Sequence, residues 1–233
     1  MKTETASVEK VEFSMDGKPC TAPVDTNLID AIRMNGGKVP TLCWSVGLEP
    51  ALGTCRVCTV RKNGREVAGC TVHIANGDVI ECAADDLGNL RQGVTELLFS
   101  EGNHYCPGCE KSGDCELQSV AYDQGITHSR FPYKFSHYEL DYRGKDLMIE
   151  RNRCIHCKRC TDLFVDDEGR KVFRFMGKGR RTVVEMDLKL EAVMSKHKKK
   201  EAVAICPTGA ILFKGQGFDR PIGTRKNDGR SGK

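Results

Sequence analysis

The alternation of apolar and polar positions sets the first elements. Val11 and Phe13 alternate with polar neighbours and Asp16-Gly17 supplies a turn, so residues 11–23 are predicted as a β-hairpin. Leu28, Ile29 and Ile32 share one helical face. They predict a short helix over 26–35, with Thr26 as N-cap and Gly36 as its stop. Pro40 forbids continuation, and a cysteine-bearing loop runs to Thr54. Strands are predicted over 56–61 and 66–72, paired about Asn63-Gly64, with a third over 78–82.

Leu87, Leu90, Val94, Leu97 and Leu98 recur at helical spacing, predicting a helix over 85–99. A loop rich in Gly, Cys and charge follows over 101–114, then a short helix over 115–122. Residues 130–142 read as an aromatic connector containing Pro132. Leu147–Glu150 leads into further cysteines. Two strands are predicted over 171–185 about Gly177-Lys178-Gly179, and one or two helices over 187–204, interrupted by the lysine-rich run 196–200. The order of hairpin, helix, cysteine loop and returning strands predicts an α+β chain opening with a small β-grasp ferredoxin domain.

Composition changes the picture through one residue type. Of 233 residues 39% are hydrophobic and only 6% aromatic, a thin core for the length, yet 13 are cysteine. Residues 1–12 hold no apolar run of the signal-peptide kind and no stretch reaches the length of a membrane span. A reducing cytoplasmic setting is therefore expected, where clustered cysteines point to metal rather than disulfides. The formal charge of +4 counts the cysteines as neutral. With thiolates bound to clusters the sum falls to about −1, which removes the case for a basic, nucleic-acid-binding chain.

The cysteines form three groups. The first is Cys43-x11-Cys55-x2-Cys58-x11-Cys70, a four-thiolate set that suits a cluster or, alternatively, a zinc ribbon. Gly53 in Leu52-Gly53-Thr54 lets the backbone approach closely. The second is His104-x-Cys106-x2-Cys109-x5-Cys115. It is one cysteine short of four, and His104 is the nearest candidate for the remaining ligand. The third is Cys154-x2-Cys157-x2-Cys160, with Cys206-Pro207 lying 46 positions beyond Cys160. Its simplest closure is one [4Fe–4S] cluster on Cys154, Cys157, Cys160 and Cys206. Cys20 and Cys82 remain outside these sets and read as small buried hydrophobes. There is no Gly-x-Gly-x-x-Gly, no P-loop and no further cysteine quartet. His73, His128, His137, His156 and His197 read as surface or packing residues. The chain carries no evident site for nucleotide, flavin or substrate and no catalytic residue, so it needs partners to donate and receive electrons.

Several stretches carry a wider resemblance: Pro40-Thr41-Leu42-Cys43, Leu52-Gly53-Thr54-Cys55-Arg56-Val57-Cys58 and Glu101-Gly102-Asn103-His104-Tyr105-Cys106. Cys109-Glu110-Lys111-Ser112-Gly113, Ser129-Arg130-Phe131-Pro132-Tyr133 and Ala202-Val203-Ala204-Ile205-Cys206-Pro207 complete them. From about Val11 to Arg225 the chain resembles the small diaphorase subunit of soluble NAD(P)-linked [NiFe] hydrogenases. That subunit is similar to the N-terminal region of the large iron–sulfur subunit of complex I. The resemblance implies a [2Fe–2S] cluster on Cys43, Cys55, Cys58 and Cys70. It implies a [4Fe–4S] cluster on His104, Cys106, Cys109 and Cys115, and a second on Cys154, Cys157, Cys160 and Cys206. Complex I relatives place the ligand histidine four positions before the first cysteine, at Gly102 here; the hydrogenase branch places it two before, at His104.

The resemblance also implies partners: a subunit with FMN that handles NAD(P)(H), and a hydrogenase small subunit. The expected division is a [2Fe–2S] ferredoxin domain over 1–83, a His-ligated segment over 84–125, a ferredoxin-like [4Fe–4S] domain over 126–214 and a basic tail over 215–233. The function implied is a non-catalytic electron relay in a cytoplasmic NAD(P)-linked hydrogenase. The same relay would also serve a bifurcating hydrogenase, an NAD-linked formate dehydrogenase or a complex I-like enzyme. A zinc module gripping nucleic acid through Lys196–Lys200 and the tail is the contrasting class. That lysine run reads better as a solvated helix face, and the tail is expected to dock on a partner subunit.

Overall fold

The structure, a computed structural model, describes residues 9–134, 137–166 and 168–230. Residues 1–8, on which the leader expectation partly rests, and 135–136 within the aromatic connector lie outside these.

Strands β1 (Lys10–Met15) and β2 (Lys18–Pro23) form the predicted hairpin, with Phe13 opposite Cys20. Asp16 and Gly17 take φ of 48° and 77°, the left-handed pair that a two-residue hairpin turn requires. Strands β3 (Thr59–Lys62) and β4 (Arg65–Ala68) turn about Asn63-Gly64, and β5 (Val79–Glu81) enters between β1 and β3. The five-stranded sheet runs β2-β1-β5-β3-β4, with β1 and β5 parallel. Strands β3 and β4 are shorter than predicted. Cys58 lies in the loop before β3, and Cys70 sits on a 3₁₀ turn, Gly69–Thr71, after β4.

Helix α1 (Leu28–Met34) buries Leu28, Ile29, Ala31 and Ile32 against the sheet, and each large side chain contributes about 2 kcal/mol. Its N-cap is Asn27 rather than Thr26: the Asn27 carboxamide accepts from Ile29 N–H, while the Thr26 hydroxyl donates back to Pro23 O. Helix α2 (Asp85–Glu101) has the predicted extent, but its fully buried positions are largely polar. Arg91 donates to Thr59 O and Cys82 O, and Glu96 pairs with Arg130. Leu90, Val94 and Leu98 are half-buried and Leu97 is exposed. The leucine period located the helix, whereas the paired charges fix which side is covered. Helix α3 (Glu116–Asp123) follows Cys115, its N-cap.

The rest of the chain builds a second core of Leu147, Ile149, Phe164, Val172, Phe173, Val184 and Ile211. Strand β6 (Leu147–Ile149) pairs with β9 (Ile211–Phe213), which was not among the predicted elements although Ala210 to Phe213 is a continuous apolar run. Helix α4 (Arg159–Leu163) carries the end of the cysteine triplet, and β7 (Phe173–Met176) pairs with β8 (Val183–Met186). Two helices follow, α5 (Leu188–Val193) and α6 (Lys196–Ile205), the latter capped by the Ser195 hydroxyl. The lysine run therefore opens α6 rather than interrupting a helix. Its Lys199 is buried, paired with Glu191 at 3.1 Å and with Asp146, so the run is only partly a solvated face.

The described tail returns to this chain. Arg220 pairs with Asp114, Arg225 Nη1 donates to Ser112 O, and Arg230 pairs with Asp123. Buried Asn227 takes the Ser119 hydroxyl on Oδ1 and donates Nδ2–H to Cys115 O. The described tail residues pack on the chain's own second cysteine group, where acidic and backbone acceptors around α3 meet the arginines. Among the described residues no helix is long and apolar enough to cross a membrane.

Candidate metal centres

The first group is drawn together by the ends of the sheet. Cys43, Cys55, Cys58 and Cys70 are all buried. Cys58 and Cys70 sulfurs stand 3.4 Å apart, and Asn27 Nδ2 donates to Cys70 O at 2.7 Å, fixing the 3₁₀ turn to α1. Gly53 has φ +60°, and a Cβ there would stand 2.6 Å from Thr71 Cγ2, so the loop needs glycine for both conformation and room. Hydrogen bonds from Cys55 and Cys70 pull the Cys43 thiol well below its ordinary range. A bond from Cys70 lowers Cys58 as well. Cys55 and Cys70, the donors of these bonds, are held well up.

In the second group His104, Cys106, Cys109 and Cys115 line one cavity with Phe99, Leu117 and Gly209. The His104 ring stands edge-on to Phe99 at 5.4 Å, and its buried Nε2 has no hydrogen-bond partner. Burial, followed by the charge of Arg153, lowers His104 to about 4, leaving a neutral imidazole at ordinary pH. The ring lies over Gly102. A Cβ at 102 would stand 2.4 Å from Nε2, so the imidazole at position 104 occupies the space that a side chain at 102 would enter. Burial raises the Cys115 thiol to about 12, and raises Cys106 as well.

In the third group Cys154, Cys157, Cys160 and Cys206 line one apolar cavity with Ile155, Phe175, Val184, Pro207, Ala210 and Ile211. His156 and Lys158, between the cysteines, have φ of 51° and 63°. These left-handed residues curl the triplet about the cavity. Burial raises Cys154 to about 12 and lifts Cys157 and Cys160 too. An apolar wall disfavours bare thiolates; cationic metal bound to them reverses that preference. Among the described residues no group of three or more His, Cys, Asp and Glu has the geometry of a single metal-ion site. In the second and third groups the donors surround a cavity instead.

Cys20 and Cys82 are buried as expected, Cys82 with its thiol 2.8 Å from Asp16 Oδ2. Other residues at these centres escaped the sequence reading. Arg153 pairs with Glu110 and Arg159 with Glu116, while Gly209, whose Cβ would meet Cys109 Sγ at 2.9 Å, closes on the second group. Adjacency to a cysteine was the only sequence signal of the four charged residues, and Gly209, three positions after Cys206, lacked even that.

The comparisons with known proteins follow this layout. Residues 8–84 match a 2Fe-2S iron-sulfur cluster binding domain. Residues 91–130 match the NADH-ubiquinone oxidoreductase-G iron-sulfur binding region, and residues 144–212 the ferredoxin-like domain of NADH-quinone oxidoreductase subunit 3. The chain is thus a 2Fe-2S ferredoxin-like part followed by 4Fe-4S parts. It is 43% identical over 217 residues to NAD-reducing hydrogenase HoxS subunit gamma of Cupriavidus necator, covering 93% of this chain and 92% of that protein. It is 28% identical to NADPH-Fe(3+) oxidoreductase subunit alpha of Geobacter sulfurreducens, over 88% of this chain and 24% of that longer protein. A crystal structure of NAD+-reducing [NiFe]-hydrogenase in the H2-reduced state superposes with a TM-score of 0.83 at 34% identity. That match covers 97% of this chain and 95% of the other. By end-to-end identity and shared fold, this chain belongs to the family of small iron–sulfur electron-transfer subunits of NAD(P)-linked [NiFe] hydrogenases.

Proposed function

We propose that this chain relays electrons between a flavin-bearing NAD(P)(H) subunit and a hydrogenase small subunit in a cytoplasmic NAD(P)-linked hydrogenase. Its proposed centres are a [2Fe–2S] cluster on Cys43, Cys55, Cys58 and Cys70, and two [4Fe–4S] clusters. One of these is held by His104, Cys106, Cys109 and Cys115, the other by Cys154, Cys157, Cys160 and Cys206. The proposed division keeps a β-grasp domain over 1–83, a His-ligated segment over 84–125, a ferredoxin-like domain over 126–214 and the tail over 215–233.

The observation that carries the reading is the sorting of eight dispersed side chains into two cavities. The second group's four donors line one and the third group's four line the other. The donor chemistry fits the groups. His104 offers a neutral, buried nitrogen with no protein partner, and eleven thiols stand in three sets. Iron–sulfur clusters supply one-electron storage and release at potentials set by their surroundings. The chain's own task is to bury the donors, hold them in place and shape the local charge.

Purification of the native complex, followed by flavin, nickel, iron and sulfide analysis, tests the assignment. The chain is expected to copurify with flavin and nickel, carrying about ten irons and about ten sulfides of its own. A chain that copurifies with neither flavin nor nickel, or that contains zinc without sulfide, contradicts it.

A further inference from the structure

Two arginines, Arg159 buried and Arg153 half-buried, repeat one arrangement. Arg153 immediately precedes Cys154, and Arg159 immediately precedes Cys160, both in the third group. Each reaches a glutamate that immediately follows a cysteine of the second group. Arg153 Nη1 lies 2.6 Å from Glu110, beside Cys109. Arg159 grips Glu116, beside Cys115, with Nη1 and Nη2 at 2.8 and 2.9 Å. The same Nη2 donates to Trp44 O at 2.8 Å, next to Cys43 of the first group. With Nη1 also within 3.5 Å of Ile205 O, next to Cys206, Arg159 bonds to backbone or side chain beside a cysteine of every group. Thr208, two residues after Cys206, donates its hydroxyl to Arg153 O and ties the fourth cysteine's turn to the same arginine.

The arginine heads are aimed differently. Arg153 Cδ and Cys109 Sγ close on the same point, 3.5 and 2.9 Å from where a Cβ of Gly209 would stand, which sets Arg153 against the second group; Arg159 Nη1 lies 3.5 Å from Ile205 O, beside Cys206 of the third. Each arginine also has a buried Nε–H without a protein acceptor, a donor free to bond sulfur. A bidentate arginine–carboxylate pair fixes both distance and orientation, and a fixed cation in a low-dielectric interior favours the more negative, reduced form of a nearby centre.

We propose that Arg153 and Arg159 are positioning residues that lock the second and third cysteine groups together through Glu110 and Glu116. Their fixed charges raise the reduction potentials of the second and third centres respectively. The proposal rests on the cluster assignment above. It takes the two clamps as a device for holding neighbouring centres at constant separation and for dividing positive charge between them.

Redox titration of the anaerobically purified complex, followed by EPR, tests this with full-length variants. Arg153→Gln should shift the His-ligated centre to more negative potential and leave the [2Fe–2S] centre in place. Arg159→Gln should do the same to the all-cysteine [4Fe–4S] centre. Arg153→Lys and Arg159→Lys, which keep the charge, should stay nearer the wild type. Glu110→Gln and Glu116→Gln free the arginine charge and should shift the same centres to more positive potential. This opposite sign is not expected of packing damage, and it decides the question even where an arginine variant fails to retain its cluster. Potentials that ignore the sign of the charge removed overturn the proposal while leaving the cluster assignment intact. A wild-type complex without the three species overturns the assignment, and the proposal with it.

Discussion

At the scale of single residues, the second centre turns on Gly102 and His104. Gly102 has φ −117° and ψ 159°, which any residue adopts, so its side chain is limited by space alone. Gly102→Ala would place a methyl group against His104 Nε2 and within 3.1 Å of Asn152 O. The expected outcome is displacement of the imidazole and loss or alteration of the second centre's EPR signal, with the other two unchanged. An unaltered signal would show that the imidazole tolerates the methyl group or does not act there. The cysteine groups were legible in the sequence because most of their spacing is local. His104 was legible only as the nearest donor to an incomplete set. Its relation to Gly102 was not, because it depends on how the ring folds back across the intervening turn. Arg153, Arg159, Glu110 and Glu116 were hidden for a related reason: each pair joins residues 43 positions apart.

At the scale of elements, two junctions carry the second half. Glu191 of α5 is fully covered. It accepts N–H bonds from Lys145, Asp146 and Leu147 at the start of β6, and pairs with Lys199 of α6. Burial alone would raise its carboxyl, but these donors outweigh burial and hold it below the ordinary glutamate value. A carboxylate lowered on folding contributes stability that is complete above its unfolded value and is lost as pH falls through the folded one. Glu191→Gln should therefore destabilise by about 3–5 kcal/mol near neutral pH, the cost of stranding a buried partner. Thermal melts should show the gap closing as pH drops below about 4. A gap independent of pH would contradict the role of this charge. The sequence allowed one or two helices over 187–204; Ser195, by capping α6, makes them two.

The tail is the second junction. Asn227 donates to Cys115 O and Gly113 O, and Arg225 to Ser112 O. Truncation after Lys214 should thus release the second centre in particular. Iron should fall from about ten to about six per chain, with the His-ligated EPR signal lost. Full iron content after truncation would show that the contacts are dispensable to the centre. The tail's intramolecular seat depends on acceptors more than a hundred positions earlier in the chain, as the Asn227–Cys115 bond shows with its separation of 112.

At the scale of the whole molecule, two modest hydrophobic cores are joined by polar and sulfur-bearing contacts. The first core holds Cys115, Cys157 and Leu117 together with the sheet and α1, and the second holds Cys160 and Cys206. The third group is thus divided between the two, which explains how a chain with few aromatic residues brings three cysteine sets close together. The order of elements in the opening sheet was readable from alternation and turn residues. The contact of all three groups around Arg159 was not, since it exists only once the domains pack. Mössbauer spectroscopy with EPR of the anaerobically isolated complex tests the central claim most directly. The account predicts one two-iron and two four-iron species attributable to this chain, one of the latter altered when His104 is replaced. Fewer than two iron–sulfur species from this chain would contradict it.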